Sequence, residues 1–163
     1  MQINFISQET IDKNLKKQLF KIAKTTMKIL GQNHNILEVN IAFVSSEEIR
    51  KLNNEKRKID NATDVLSFPN LDNVYNSKIT KNKYKLEINP ETKKVFIGDI
   101  VICQEVANNQ AEEFGHSINR EICYLTTHAL LHLMGYDHLE ENDRTIMRNL
   151  EEKVLTKNKL ARI

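Results

Sequence analysis

Residues 95–103 read VFIGDIVIC, a run that is apolar except for Gly98 and Asp99 and rich in β-branched side chains. It is the strongest strand signal in the chain, from Lys94 to Cys103, and a strand of this kind has to be covered by other elements. Its neighbours can provide the cover. Helical patterns follow at 104–114, closed by Gly115, at 117–134, closed by Gly135, and at 141–157. Upstream, Ile11, Leu15, Leu19, Ile22 and Leu30 recur at helical spacing over Thr10 to Leu30, with Gly31 placed to end the helix. Leu37, Val39, Ile41 and Phe43 alternate as in a strand with one buried face. Ser45 and Glu48 have capping-box spacing and open a short helix containing Ile49 and Leu52. Residues 55–62 read as a basic loop, Thr63 to Phe68 as a short strand stopped by Pro69, and 70–92 as a long polar loop or hairpin. Strands fill the middle and helices flank them, which argues α+β.

At 163 residues the chain has the size of one domain, 1–163, with a core of its own and no need of a disulfide framework. A hydrophobic share of 40%, a charged share of 28%, four Gly and two Pro exclude collagen-like and disordered classes. The longest uncharged apolar stretch, Ile122 to Tyr136, contains two His and two Thr and is shorter than the roughly 18 residues of a membrane span. No membrane partner is expected. The N-terminus has no basic-then-apolar leader pattern, and Cys103 and Cys123 form no CxxC pair, so a reducing cytoplasm is the expected compartment. Both cysteines read as core residues.

Net charge is only +2, but its distribution is uneven. Residues 111–152 carry nine acids against three Arg, while 13–28 hold six Lys and no acid. Lys13, Lys17, Lys21, Lys24 and Lys28 fall opposite the apolar stripe of the first helix. The ordinary reading is a solvated face, and contact with the phosphates of a polyanion is the sharper one.

Chemistry concentrates between 127 and 138. His128 and His132, four apart on a helix, project from one face. Gly135 ends that helix, and the turn through Tyr136 and Asp137 brings back His138. Three of the five His in the chain thus lie within eleven residues, as HxxxHxxxxxH. Neutral imidazole suits zinc, and three protein ligands with a water in the fourth position is the arrangement of a catalytic rather than a structural ion. One zinc per chain is the expectation. Zinc proteases with this spacing place a Glu base after the first His, where this chain has Ala129, so a peptidase would lack its proton acceptor. Glu121, seven residues before His128, is either a support for a ligand or an ordinary first-turn acid. Asp99, a carboxylate within an apolar strand, needs a partner, either a ligand His or a backbone amide.

These residues carry a resemblance. THALLHLMGYDH (127–138) resembles the signature HGxLHLxGYDH of the bacterial YbeY family, rRNA maturation factors and single-strand-specific metallo-endoribonucleases. LNNEKRKIDNATDVLSFP (52–69) is similar to its second block, LNxxYRxxDxxTDVLSFP, and GDIVIC (98–103) to its third. Ala129 stands where the family usually has Gly and Lys56 where it often has Tyr. Alanine favours helix, and Arg57 keeps its register beside Lys56.

The resemblance implies a small, mostly parallel mixed sheet flanked by helices, with the zinc site in a cleft at the end of a helix. It implies His128, His132 and His138 as metal ligands, with His128 and Arg57 counted as catalytic. A planar, permanently charged guanidinium suits a phosphodiester, although the residues alone would place Arg57 as a surface residue of a basic loop. It further implies cleavage of single-stranded RNA in rRNA maturation, at the 3′ end of small-subunit rRNA, and in ribosome quality control. The partners implied are rRNA, the small ribosomal subunit with its proteins, and a ribosome-assembly GTPase. Attack by zinc-activated water and attack by the ribose 2′-OH both fit the sequence. Two other readings are a small-subunit assembly factor with a structural zinc and a metal-dependent hydrolase of another substrate.

Overall fold

A mixed four-stranded sheet in the order β1-β2-β4-β3 organises the chain in the computed structural model, which describes residues 1–7 and 10–160. Strands β1 (Gln2–Ser7), β2 (Leu37–Val44) and β4 (Val95–Cys103) run parallel, and β3 (Val65–Pro69) is an antiparallel edge on β4. Helices α1 (Lys13–Ile29), α2 (Ser46–Arg57), α3 (Gln104–Glu113), α4 (Ile118–Leu133) and α5 (Glu141–Lys157) flank it, with one 3-10 turn at His34–Ile36. This is the α+β architecture, mostly parallel, that the sequence led us to expect.

Local chemistry explains where elements begin and end. Asp12 Oδ1 accepts from the amides of Asn14 and Leu15, so α1 starts at Lys13 rather than at Thr10. The Ser45–Glu48 capping box forms in full at the start of α2. That helix runs on through Arg57, which corrects the expectation of a basic loop from residue 55. Lys58 adopts a left-handed φ of 61° and its amide donates to Asn54 O, while Ile59 N donates to Asn53 O, and these bonds close the last turn only after Arg57. The 70–92 segment contains no regular strand, yet it is more than a solvent loop. Leu71, Val74, Ile79 and Tyr84 are buried in the main core, and Ile88 makes an isolated antiparallel bridge to Val95.

The main core lies on one face of the sheet, where Leu19, Ile22, Ile41, Ile97, Ile100, Ile102 and Leu125 are fully enclosed. A smaller one on the other face joins Ile49 of α2 to Leu66, Val101 and Cys103. Val95 and Ile97 share the main core with Ile100 and Ile102 although strand alternation alone forbids it. The register between β2 and β4 shifts after Glu38↔Phe96, so that Asn40 pairs Asp99, and this extra residue in β4 resets the parity. Gly98 sits in the bulge at φ +142°, and a Cβ there would lie 2.3 Å from the carbonyl oxygen of Phe68. Only glycine allows β3 to approach this closely.

Asp99 does not support a ligand histidine. Its Oδ1 accepts from Asn40 Nδ2 at 2.8 Å, within a polar strip where buried Glu38 is held by Asn4 (2.7 Å), Asn89 (3.0 Å) and Thr92. The carboxylate finds its required partner across the sheet.

Candidate metal centre

Helix α4 brings the first two histidines to one face, as their spacing requires. The Ser117 hydroxyl caps its start by accepting from Arg120 N, and Gly135 at φ +82° ends it, its amide donating to His132 O. Tyr136 N then donates to Leu131 O, which turns the chain back toward the helix end and presents His138. A Cβ on Gly135 would come within 3.1 Å of Tyr75, so this turn is also closed to larger residues. One ring nitrogen from each of His128, His132 and His138 lies within 4.8 Å of the others. The ring centroids are 4.6, 5.4 and 5.1 Å apart.

The ring orientations are set from behind. His128 Nδ1–H donates to Glu151 Oε1 at 2.7 Å, and His132 Nδ1–H donates to the Tyr136 carbonyl at 2.9 Å. Both Nε2 lone pairs then face the same point and approach each other to 3.0 Å. Two such lone pairs repel one another and suit a shared cation. Burial lowers the His132 pKa, as do His128 and His138 beside it, while the Tyr136 carbonyl and Asp137 oppose the shift. A ring held neutral in this way is in the protonation state that ligation needs.

A cleft of ≈190 Å³ opens over this triad, and Arg57, Thr63, Asp64 and Ser67 line it as well. Arg57 is the last residue of α2, exposed, with no acidic side chain paired to it among the described residues. The structure therefore brings together all four residues singled out from sequence. Ala129 is buried beneath the same cleft, with no carboxylate in the position of a protease base. Ser67 lines the cleft on edge strand β3, outside any nucleophile elbow.

Glu121 belongs to a different pair. It is buried and meets His116 Nε2 at 3.1 Å, not a ligand of the triad. The carboxylate that does meet a histidine of the triad, Glu151, escaped the sequence reading because it lies 23 residues beyond His128. One signal was available: Glu151 shares the buried face of α5 with Met147, Val154 and Leu155, where an acid is costly without a partner. Asp64 was also missed. Its Oδ1 accepts from Val65 N and Thr63 Oγ1, and its Oδ2 accepts from Gln110 Nε2 at 3.0 Å.

On this α+β fold, three imidazoles that could hold a metal ion share one cleft with the Arg57 guanidinium. Comparison with known proteins narrows the class. A model of the family described as Endoribonuclease YbeY matches residues 2–159. A protein of that name from Thermoanaerobacter sp. is 42% identical over 158 residues, 95% of each chain. Another from Clostridium botulinum is 44% identical over 142 residues, 85% of this chain and 84% of that one. The chain belongs to the endoribonuclease YbeY family. A solution structure from Thermotoga maritima, 23% identical, matches with a TM-score of 0.57 over 96% of this chain and 91% of that one, a likeness of fold.

The Lys stripe of α1 is exposed along its length, at Lys13, Lys17, Lys21, Lys24 and Lys28. None of these five makes an ion pair among the described residues. No helix is long and apolar enough to cross a membrane.

Proposed function

We propose that the chain, acting as one domain, is a zinc-dependent endoribonuclease of single-stranded RNA that works in the cytoplasm. Its role would be in maturation of small-subunit rRNA and in ribosome quality control, in company with the small subunit, its proteins and an assembly GTPase. The observation that carries the chemistry is the convergence of His128, His132 and His138 in one cleft that Arg57 also lines. The donor set fits zinc: three imidazoles, two with their Nδ1 protons committed elsewhere, and a cleft open on the fourth side. When bound there, the ion supplies Lewis acidity toward a phosphoryl oxygen and activates water at neutral pH.

The chain's own residues do the rest. Arg57 offers a fork of N–H donors to two phosphate oxygens and remains charged throughout, so it meets the negative charge that grows on those oxygens as the bond breaks. Glu151 and the Tyr136 carbonyl hold two rings in place, which spares the site reorganisation during the reaction. The test is cleavage of one RNA sequence, single-stranded and as a duplex, by chelated protein and by protein given back zinc, with His132→Ala as control. Cutting confined to the single strand and to zinc-restored wild type is expected. Equal cutting by His132→Ala would overturn the assignment.

A further inference from the structure

A second cleft, of ≈260 Å³, adjoins the metal centre. Asp64 lines both, and the ring of Tyr124, which lines the second, lies 6.1 Å from that of His128. An RNA strand with a phosphodiester between Arg57 and the histidines therefore passes beside it.

The lining suits a nucleobase and not a phosphate. Phe114 is 59% exposed, unusual for so large an apolar ring, and it lies nearly parallel to His116 at an interplanar angle of 22°. His116 is itself held by its 3.1 Å contact with Glu121, which anchors one ring of the pair. Bases of single strands stack on such surfaces whatever their sequence. The polar groups add a preference. Asp64, Glu121 and Glu152 line the cleft against one cation, Arg120, whose Nε is already donated to Leu160 O. A phosphate is repelled there. The cleft is thus rich in acceptors, and what acceptors take is an N–H edge. Adenine, cytosine and guanine present an exocyclic amino group with two N–H donors, whereas uracil presents a single ring N–H between two carbonyl oxygens that the carboxylates repel.

We propose that this cleft binds one unpaired nucleobase bearing an exocyclic amino group, from a nucleotide next to the bond that is cut, with Phe114 and His116 as its stacking surface. The inference rests on the reading of the chain as a single-strand endoribonuclease. It assigns the cleft a role in choosing where along a strand the site settles, separate from the chemistry at the histidines.

The test is fluorescence anisotropy with labelled oligo-A, oligo-C, oligo-U and an abasic strand of equal length, with chelator present so that no strand is cut. Wild type should bind oligo-A and oligo-C about tenfold more tightly than oligo-U, and the abasic strand most weakly. Phe114→Ala, an exposed position whose change should leave the thermal midpoint in place, should lose about tenfold on oligo-A and oligo-C and almost nothing on the abasic strand. Glu152→Gln, also exposed, should narrow the preference over oligo-U. If wild type binds RNA and Phe114→Ala binds every strand equally well, the base site is wrong while the nuclease reading stands. If wild type binds none of the strands, both fall together.

Discussion

Glu151 Oε1 and His128 Nδ1 lie 2.7 Å apart, a contact that ties helix α5 to the histidine-bearing face of α4. It is a long-range restraint on a short-range motif. The pairing fixes which nitrogen of His128 faces the cleft, and the carboxylate raises the basicity of the ring.

Glu151→Gln keeps the volume of this side chain and removes its charge. Zinc affinity should fall by roughly tenfold to a hundredfold, since outer partners of metal-binding histidines contribute on that scale. Competition against a chelator of known affinity measures it, with the fold monitored by circular dichroism. Unchanged affinity would reduce Glu151 to a core residue of α5.

Arg57→Lys tests the guanidinium. The variant retains positive charge at the end of α2, but a point charge cannot reproduce two parallel hydrogen bonds to one phosphate. Cleavage of single-stranded RNA should drop by at least about tenfold, mainly in kcat, because the interaction strengthens in the transition state. Strand affinity should change little. A variant as active as wild type would return Arg57 to the exposed surface.

Cys123 provides a pH signature of the core. Burial pushes its thiol up to about 12, and Cys103 is equally enclosed. Between about 9 and about 12 the folded chain keeps the Cys123 proton and the unfolded chain loses it. The unfolded state then binds fewer protons, so this thiol makes stability fall as pH rises through the window. Near pH 8 a thiol reagent should label neither cysteine in the native protein and both after denaturation. Rapid native labelling of Cys123 would contradict its placement inside α4.

What was legible in the sequence was local. The capping box of Ser45 and Glu48, the i, i+4 spacing of His128 and His132, and the turn at Gly135 each involve a few adjacent residues whose geometry follows from backbone periodicity. The course of α2 through Arg57 was not legible, because a polar, basic helix end resembles a loop until the bonds that close it at Lys58 and Ile59 are seen. Glu151, Asp64 and Gln110 meet their partners only through packing of α3, α4 and α5 against the sheet, contacts no spacing rule encodes. Asp99 shows the same limit from the other side. The need for a partner was readable, but its identity, Asn40, depended on the register of two strands.

Metal content of the purified protein decides whether His128, His132 and His138 hold one ion. Wild type should carry about one zinc per chain, and His128→Ala and His138→Ala should each lose most of it while remaining folded, because either change leaves only two protein ligands. Full retention of zinc in both variants would show that the ion is held elsewhere.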